Sequence, residues 1–204
     1  MSTYTVAITG ASGAVYGVRL LEFLLKSGHH LYLCITREGG MVIREELGLR
    51  WQGNPSEITS YIYGHFQGVK GTLRVYQEDD FLAPIASGSV PVDAMMVVPC
   101  SMKTVAGISA GSSSNLVERA ADVTLKEKRP LIVVPRETPL NPFHVRNLLT
   151  LSQAGIHILP AMPAFYHHPK SVDDMVDFIV GRVLDVLKID HDLYRRWTRP
   201  ADSN

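Results

Sequence analysis

Between residues 81 and 146 the chain alternates apolar runs with segments of proline, small and hydroxyl residues: Pro84–Gly88 (PIASG), Pro99–Thr104 (PCSMKT) and Val134–Pro139 (VPRETP). Such segments leave backbone N–H groups and hydroxyls exposed at strand ends, as phosphate binding requires. Arg119–Lys128 (RAADVTLKEK) adds charge beside them, which suits chemistry on a phosphorylated substrate. Nearer the N-terminus, Thr9–Gly17 (TGASGAVYG) is a glycine-rich turn from strand into helix. Its amides and the Ser12 hydroxyl could cradle a phosphate. The glycines at 10, 13 and 17 miss the G-x-G-x-x-G dinucleotide spacing, and no G-K-[ST] follows as in a P-loop. Thr36 and Arg37 stand where an acidic residue would hold a ribose, so a mononucleotide fits better than NAD. Taken alone, the turn can also be read as a tight connection with no ligand.

The remaining candidates each have two readings. Ser101 and Thr104 open a helix after an apolar run, where Ser101 is an N-cap or part of a second hydroxyl and amide cluster. The missing G-x-S-x-G elbow argues against a nucleophilic role for Ser101. Arg119, Asp122 and Lys126, spaced i, i+3 and i+7, share one helix face. They form a solvated Asp122–Lys126 pair or, with Tyr166 and Arg182, a phosphate clamp. Arg136-Glu137 follows the strand Leu131–Val134 directly and so reaches the ligand edge. There Arg136 reads a phosphate and Glu137 manages protons, or the two form a surface ion pair. His167 and His168 are adjacent, with rings that point apart and no third ligand, so no metal site is assigned to them.

The elements that must position these groups follow from periodicity. Strands are predicted at Thr3–Thr9, His30–Thr36, Thr72–Tyr76, Asp93–Val98, Leu131–Val134 and Ile156–Leu159. Helices are predicted at Ala14–Lys26, Glu38–Leu47, Pro55–Tyr63, Val105–Ala110, Asn115–Lys128 and Pro142–Ser152. This alternation predicts an α/β fold with a parallel sheet covered on both faces, its ligand lying beyond the carboxyl ends of the strands. A last helix, Ser171–Lys188, starts at the Ser171 cap with Asp173 and Asp174 in its first turn. Arg182 falls inside its wide apolar arc, where a guanidinium must find a partner, either an internal carboxylate or an anion at a subunit interface. An arc this wide also favours oligomerisation.

Composition narrows the class. The 204 residues are 46% hydrophobic with zero formal net charge. That suits one sizeable domain over residues 1–197 with a tail at 198–204, and no global field for nucleic acid or membrane. Cys34 and Cys100 lie in apolar runs and read as reduced thiols of a cytoplasmic protein. No apolar run approaches the ~18–20 residues of a membrane span.

TGASGAVYG, ASG (86–88), PCSMKT, NLVERAADVTLKEKRPLIVVPRETP and AMPAFYHHP (161–169) together resemble the UbiX-type flavin prenyltransferases, from about residue 4 to 197. The resemblance implies a flavodoxin-like/Rossmann-like three-layer sandwich assembled as a homo-oligomer, a dodecamer. It implies metal-independent transfer of a dimethylallyl group from dimethylallyl phosphate to N5 and C6 of reduced FMN, a co-substrate. The prenylated flavin would serve a UbiD-type decarboxylase. By motif, FMN falls to Gly10, Ala11, Ser12, Thr36, Ser101, Met102, Lys103, Thr104 and Arg136. The prenyl phosphate falls to Arg119, Lys126, Tyr166 and Arg182, drawn from more than one subunit. Ser12, Glu46, Lys126 and Glu137 are implied as the catalytic groups.

Two positions depart from the family pattern: Phe81 replaces a frequent Trp, and Arg146 stands where Glu is common. The competing readings are a flavin-dependent cysteine decarboxylase, a flavin carrier and an aromatic acid decarboxylase. PCSMKT in place of a P-A-S-A-N-T segment, together with Tyr166 and Arg182, disfavours the first. The charges at Lys126, Glu137 and Arg182 disfavour the second, and the chain offers no metal site or carboxylate-activating cofactor for the third.

Overall fold

The computed structural model describes residues 1–197; the tail expected at 198–204 lies outside the described residues. Among the described residues six strands carry the fold: β1 (Thr3–Ile8), β2 (His30–Ile35), β3 (Thr72–Tyr76), β4 (Ala94–Cys100), β5 (Leu131–Pro135) and β6 (His157–Ile158). The central strands β1, β4 and β5 are buried almost throughout because both faces of the sheet are covered there, whereas the edge strands β3 and β6 are partly exposed. All pairs are parallel, in the order β3-β2-β1-β4-β5-β6. The order reverses direction between β1 and β4, as the expected flavodoxin-like/Rossmann-like fold requires.

Among the described residues seven α-helices cover the sheet: α1 (Ala14–Lys26), α2 (Arg37–Leu47), α3 (Pro55–His65), α4 (Met102–Ser109), α5 (Leu116–Lys126), α6 (Pro142–Gln153) and α7 (Val172–Val186). Strand alternation divides the core in two. Val6, Ile8, Leu33, Met96 and Val134 face α1, α2, α3 and α7. Ala7, Cys34, Val97, Cys100 and Val133 face α4, α5 and α6. The result is the expected three-layer sandwich. Gly17 lets α1 pack directly on the sheet, since a Cβ there would run into the Val98 carbonyl. Among the described residues no helix is long and apolar enough to cross a membrane.

Two boundaries around Pro99 differ from the expectation. The sequence ends the fourth strand at Val98, before Pro99, yet β4 continues to Cys100. Its register with β5 breaks between Val97 and Cys100, so the missing N–H of Pro99 falls at an irregularity where no ladder bond is lost. The helix expected from Val105 then starts earlier, at Met102, because Ser101 caps it.

A second difference concerns Arg182. It lies within the apolar arc by periodicity but is exposed in the fold. The arc buries Val176, Phe178, Ile179, Val180, Val183 and Leu184 instead. The Arg182 head group stays at the surface because Asp185, one turn on, takes it at 2.9 Å.

Candidate active site

The strand-end turns meet where the sheet reverses, and Thr9 joins them. Its buried hydroxyl donates to the Pro99 carbonyl at 2.9 Å and accepts the Ser101 amide at 2.8 Å. The Arg136 amide donates to the Cys100 carbonyl at 3.4 Å, bringing the turn after β5 alongside. Gly10, Thr36, Glu38, Glu78, Ser101, Lys103, Thr104 and Asn115 line a cavity of ≈ 110 Å³ at this edge.

Each wall of the cavity has a local cause. Thr36 is the N-cap of α2, its hydroxyl accepting the Gly39 amide at 3.0 Å. Ser101 caps α4 by accepting the Thr104 amide at 3.2 Å, and its hydroxyl lies 3.0 Å from that of Thr104. The N-cap reading of Ser101 therefore holds, and capping leaves the first two helical amides, Met102 and Lys103, outside the intrahelical ladder as anion donors. Lys103 is exposed over the mouth, 3.9 Å from Glu38. Ala11 is buried in the first turn, whereas Ser12 is exposed ahead of α1.

Gly13 precedes α1 with φ of 100°, a left-handed conformation that suits glycine. No side chain of that turn caps α1. The Glu46 carboxylate does so from α2, accepting the Gly13 and Ala14 amides at 2.9 Å each. Tyr16, missed by the sequence reading, lies within the fields of both Glu46 and Arg136. Burial raises its hydroxyl pKa, Arg136 opposes that shift and Glu46 adds to it. Thr9 looks like an ordinary turn residue in sequence, and only the pairing of β1 with β4 reveals it. Tyr16 is revealed as a candidate by the approach of Glu46 from α2 and Arg136 from the turn after β5. Glu137 is exposed and its carboxylate accepts the Thr138 amide at 3.0 Å.

The remaining candidates lie elsewhere in the chain. On α5, Arg119 donates to the Ala86 carbonyl at 3.1 Å and to Asp122 at 3.1 Å, fastening the PIASG segment to the helix. This replaces the Asp122–Lys126 pair read from the spacing; Lys126 instead sits 3.8 Å from Glu127. The start of α5 faces the ligand edge, since the Leu116 amide donates to the Glu78 carbonyl at 2.7 Å. Its far end lies near the opposite edge, where Arg129 holds the Gly88 and Val90 carbonyls at 2.9 Å ahead of β4. Lys126, the last residue of α5, is therefore remote from its own chain's cavity.

Tyr166 and Arg182 belong to a third region, on the α7 face of the sheet. Tyr166 packs edge-on against Phe178 at 5.9 Å and Trp197 at 5.4 Å. His167 stacks on the same Phe178 at 5.0 Å. Since α5 and α7 cover opposite faces, one chain does not bring Lys126 and Arg182 together. Phe81 is exposed beside the PIASG segment.

These features agree with what the chain resembles. Residues 2–184 match the family described as Flavoprotein. A flavin prenyltransferase UbiX of Halalkalibacterium halodurans is 50% identical over 201 residues, 98% of this chain and 96% of that protein. The crystal structure of AnUbiX (PadA1) in complex with FMN and dimethylallyl pyrophosphate superposes with a TM-score of 0.85 at 37% identity, covering 98% and 99% of the two chains. A dodecameric FMN-dependent UbiX-like decarboxylase from Escherichia coli O157:H7 superposes with a TM-score of 0.83 at 40% identity, covering 97% and 100%.

Proposed function

We propose, from the premise that the chain belongs to the flavoprotein family and to its UbiX flavin prenyltransferases, that it joins a dimethylallyl group to N5 and C6 of reduced FMN. The donor is dimethylallyl phosphate, and the product is a prenylated flavin for a UbiD-type decarboxylase. The observation that carries this reading is the cradle at the β1–β4 reversal, where Thr9 joins the Gly10–Ser12 and Ser101–Thr104 turns.

The cradle fits a flavin mononucleotide. A Cβ on Gly10 would run into Glu38, so the bare backbone is part of the cavity's shape. Gly10, Ala11, Ser12, Thr36, Ser101, Met102, Lys103 and Thr104 would hold the cofactor, with Arg136 as the nearby cation. When bound, reduced FMN supplies the two nucleophilic ring atoms that receive the five-carbon group.

The chain's own residues supply the rest. Lys126, Tyr166 and Arg182 bind the prenyl phosphate and neutralise the charge that grows on it as the carbon–oxygen bond breaks. Arg119 holds the PIASG segment nearby, and Phe81 offers an aromatic face to allylic positive charge. Glu137 manages proton transfer at the departing phosphate. Glu46, fixed on the Gly13 and Ala14 amides, takes a proton from the flavin side with the Ser12 hydroxyl.

Lys126 and Arg182 stand on opposite faces of one sheet, so neighbouring copies of the chain complete each clamp in a homo-oligomer, a dodecamer. Each copy acts as one flavin-binding domain over residues 1–197, in the cytoplasm. The test is prenyl transfer by Lys126→Ala and Arg182→Ala: both should retain FMN and lose turnover. Full transfer by either variant would remove the clamp.

A further inference from the structure

The Arg182 guanidinium is one of four donors gathered on a single carboxylate. Arg182 Nη1 and the Tyr194 hydroxyl donate to Asp185 Oδ2 at 2.9 and 2.5 Å. His191 Nε2 and Arg196 Nη2 approach Oδ1 at 3.1 and 2.8 Å. The His191 ring is oriented for this, because its Nδ1 accepts the Leu193 amide at 3.3 Å and leaves the proton on Nε2. A carboxylate offers about four acceptor positions, so Asp185 is saturated. Its side chain is only 15% exposed, while that of Arg182 is 49% exposed.

Three consequences follow from this arrangement. First, a surface arginine ordinarily wanders among rotamers, but one edge of this one is pinned to a fixed acceptor. Second, pinning through Nη1 leaves the Nε–Nη2 edge unbonded among the described residues, and that is the fork that grips an oxyanion in bidentate fashion. Third, two guanidiniums, Arg182 and Arg196, meet one carboxylate, Asp185, so the cluster keeps one net positive charge (two minus one) despite the ion pairs. A purely internal salt bridge would need neither the surplus charge nor the open fork. The same Tyr194 ring packs on Phe178 at 4.9 Å, which in turn carries Tyr166 at 5.9 Å. One brace thus supports both phosphate-binding groups of this face.

We propose that Asp185, clamped by Tyr194, His191 and Arg196, is a positioning residue that aims Arg182 at the prenyl phosphate, making the segment after α7 part of the donor site. This rests on the prenyl-transfer reading above and assigns it residues outside the family motifs quoted earlier.

The experiment compares the full-length protein with Asp185→Asn, Tyr194→Phe and Arg182→Ala. It measures FMN affinity, assembly size, KM and kcat for dimethylallyl phosphate and, in Arg182→Ala and its double variants with Asp185→Asn and Tyr194→Phe, the donor's Kd, which needs no turnover. Asp185→Asn and Tyr194→Phe should raise the donor KM roughly tenfold with FMN affinity and assembly unchanged, and neither should add to the defect of Arg182→Ala. A brace that serves folding alone would move stability or assembly and leave the donor KM where it was, overturning the proposal. A defect that adds fully to that of Arg182→Ala would overturn it too. If Asp185→Asn does not fold, Tyr194→Phe, which removes one hydroxyl and no charge, decides by the same two outcomes. Wild-type protein that binds FMN but transfers no prenyl group would sink the prenyl-transfer reading and this one with it. Wild-type turnover matched by the variants would sink this one alone.

Discussion

Thr9 and Ser101, 92 residues apart, share a 2.8 Å hydrogen bond in which the Ser101 amide donates to the Thr9 hydroxyl. The same hydroxyl donates to the Pro99 carbonyl, so one side chain sets the spacing of the two turns that frame the cavity proposed to hold the flavin. Its position at the sheet's reversal makes it a joint between halves of the fold. Thr9→Val keeps the β-branched shape but strands the Ser101 amide, which costs about 1–3 kcal/mol for a buried donor. FMN affinity should fall roughly tenfold in Thr9→Val and recover in Thr9→Ser. Equal flavin titrations of the Val variant and the wild type would refute this role.

Glu46 is predicted to have separable structural and chemical roles. Glu46→Ala removes the cap of α1 and should cost about 1 kcal/mol in denaturant unfolding. Glu46→Gln keeps an oxygen for the Gly13 and Ala14 amides, so stability should change less while prenyl transfer falls as far as in Glu46→Ala. A Gln variant with wild-type turnover would show that the carboxylate serves the helix alone.

Much of this was legible in the sequence. The alternation of apolar runs and amphipathic helices gave the parallel sheet, because strands covered on both faces need continuous Val, Ile and Leu runs such as Leu131–Val134. Ser101 and Ser171 announced their helices through the cap positions. What stayed hidden depends on partners distant in the chain. Thr9 pairs with Pro99, Glu46 with Gly13, and Arg119 with Ala86, and no local spacing encodes such contacts. Helical periodicity puts Arg182 in the apolar arc because it ignores a neighbour like Asp185 that holds a head group in water.

Acid should probe the Asp185 cluster. Burial pushes its carboxyl pKa up, but hydrogen bonds from Tyr194, Arg196 and His191 outweigh that and lower it from 3.8 to about 2. A carboxylate depressed in the fold contributes stability that is fully present above its unfolded value. That contribution is lost as the pH falls from 3.8 through about 2. Thermal unfolding should therefore fall more steeply with acid in wild type than in Asp185→Asn over that window. Parallel curves would mean that the four donors do not hold the charge.

The cysteines should be inert. Burial pushes the Cys34 thiol up to about 12, and Cys100, fully enclosed, is raised as well. Neither should react with a thiol reagent at neutral pH until the protein unfolds. Rapid labelling of the native protein would place a thiol at the surface.

Opposite placement of Lys126 and Arg182 predicts complementation. Subunits carrying Lys126→Ala and subunits carrying Arg182→Ala, each inactive alone, should regain part of the activity when dissociated and reassembled together. Mixed assemblies as inactive as their parents would argue that each chain builds its own site.

The most direct measurement is anaerobic incubation of the protein with reduced FMN and dimethylallyl phosphate, or in parallel the diphosphate, followed by mass spectrometry of the released flavin. A flavin heavier by one five-carbon prenyl unit is the predicted result. Bound but unmodified FMN with both donors would contradict prenyl transfer and leave a flavin-binding protein of the same fold.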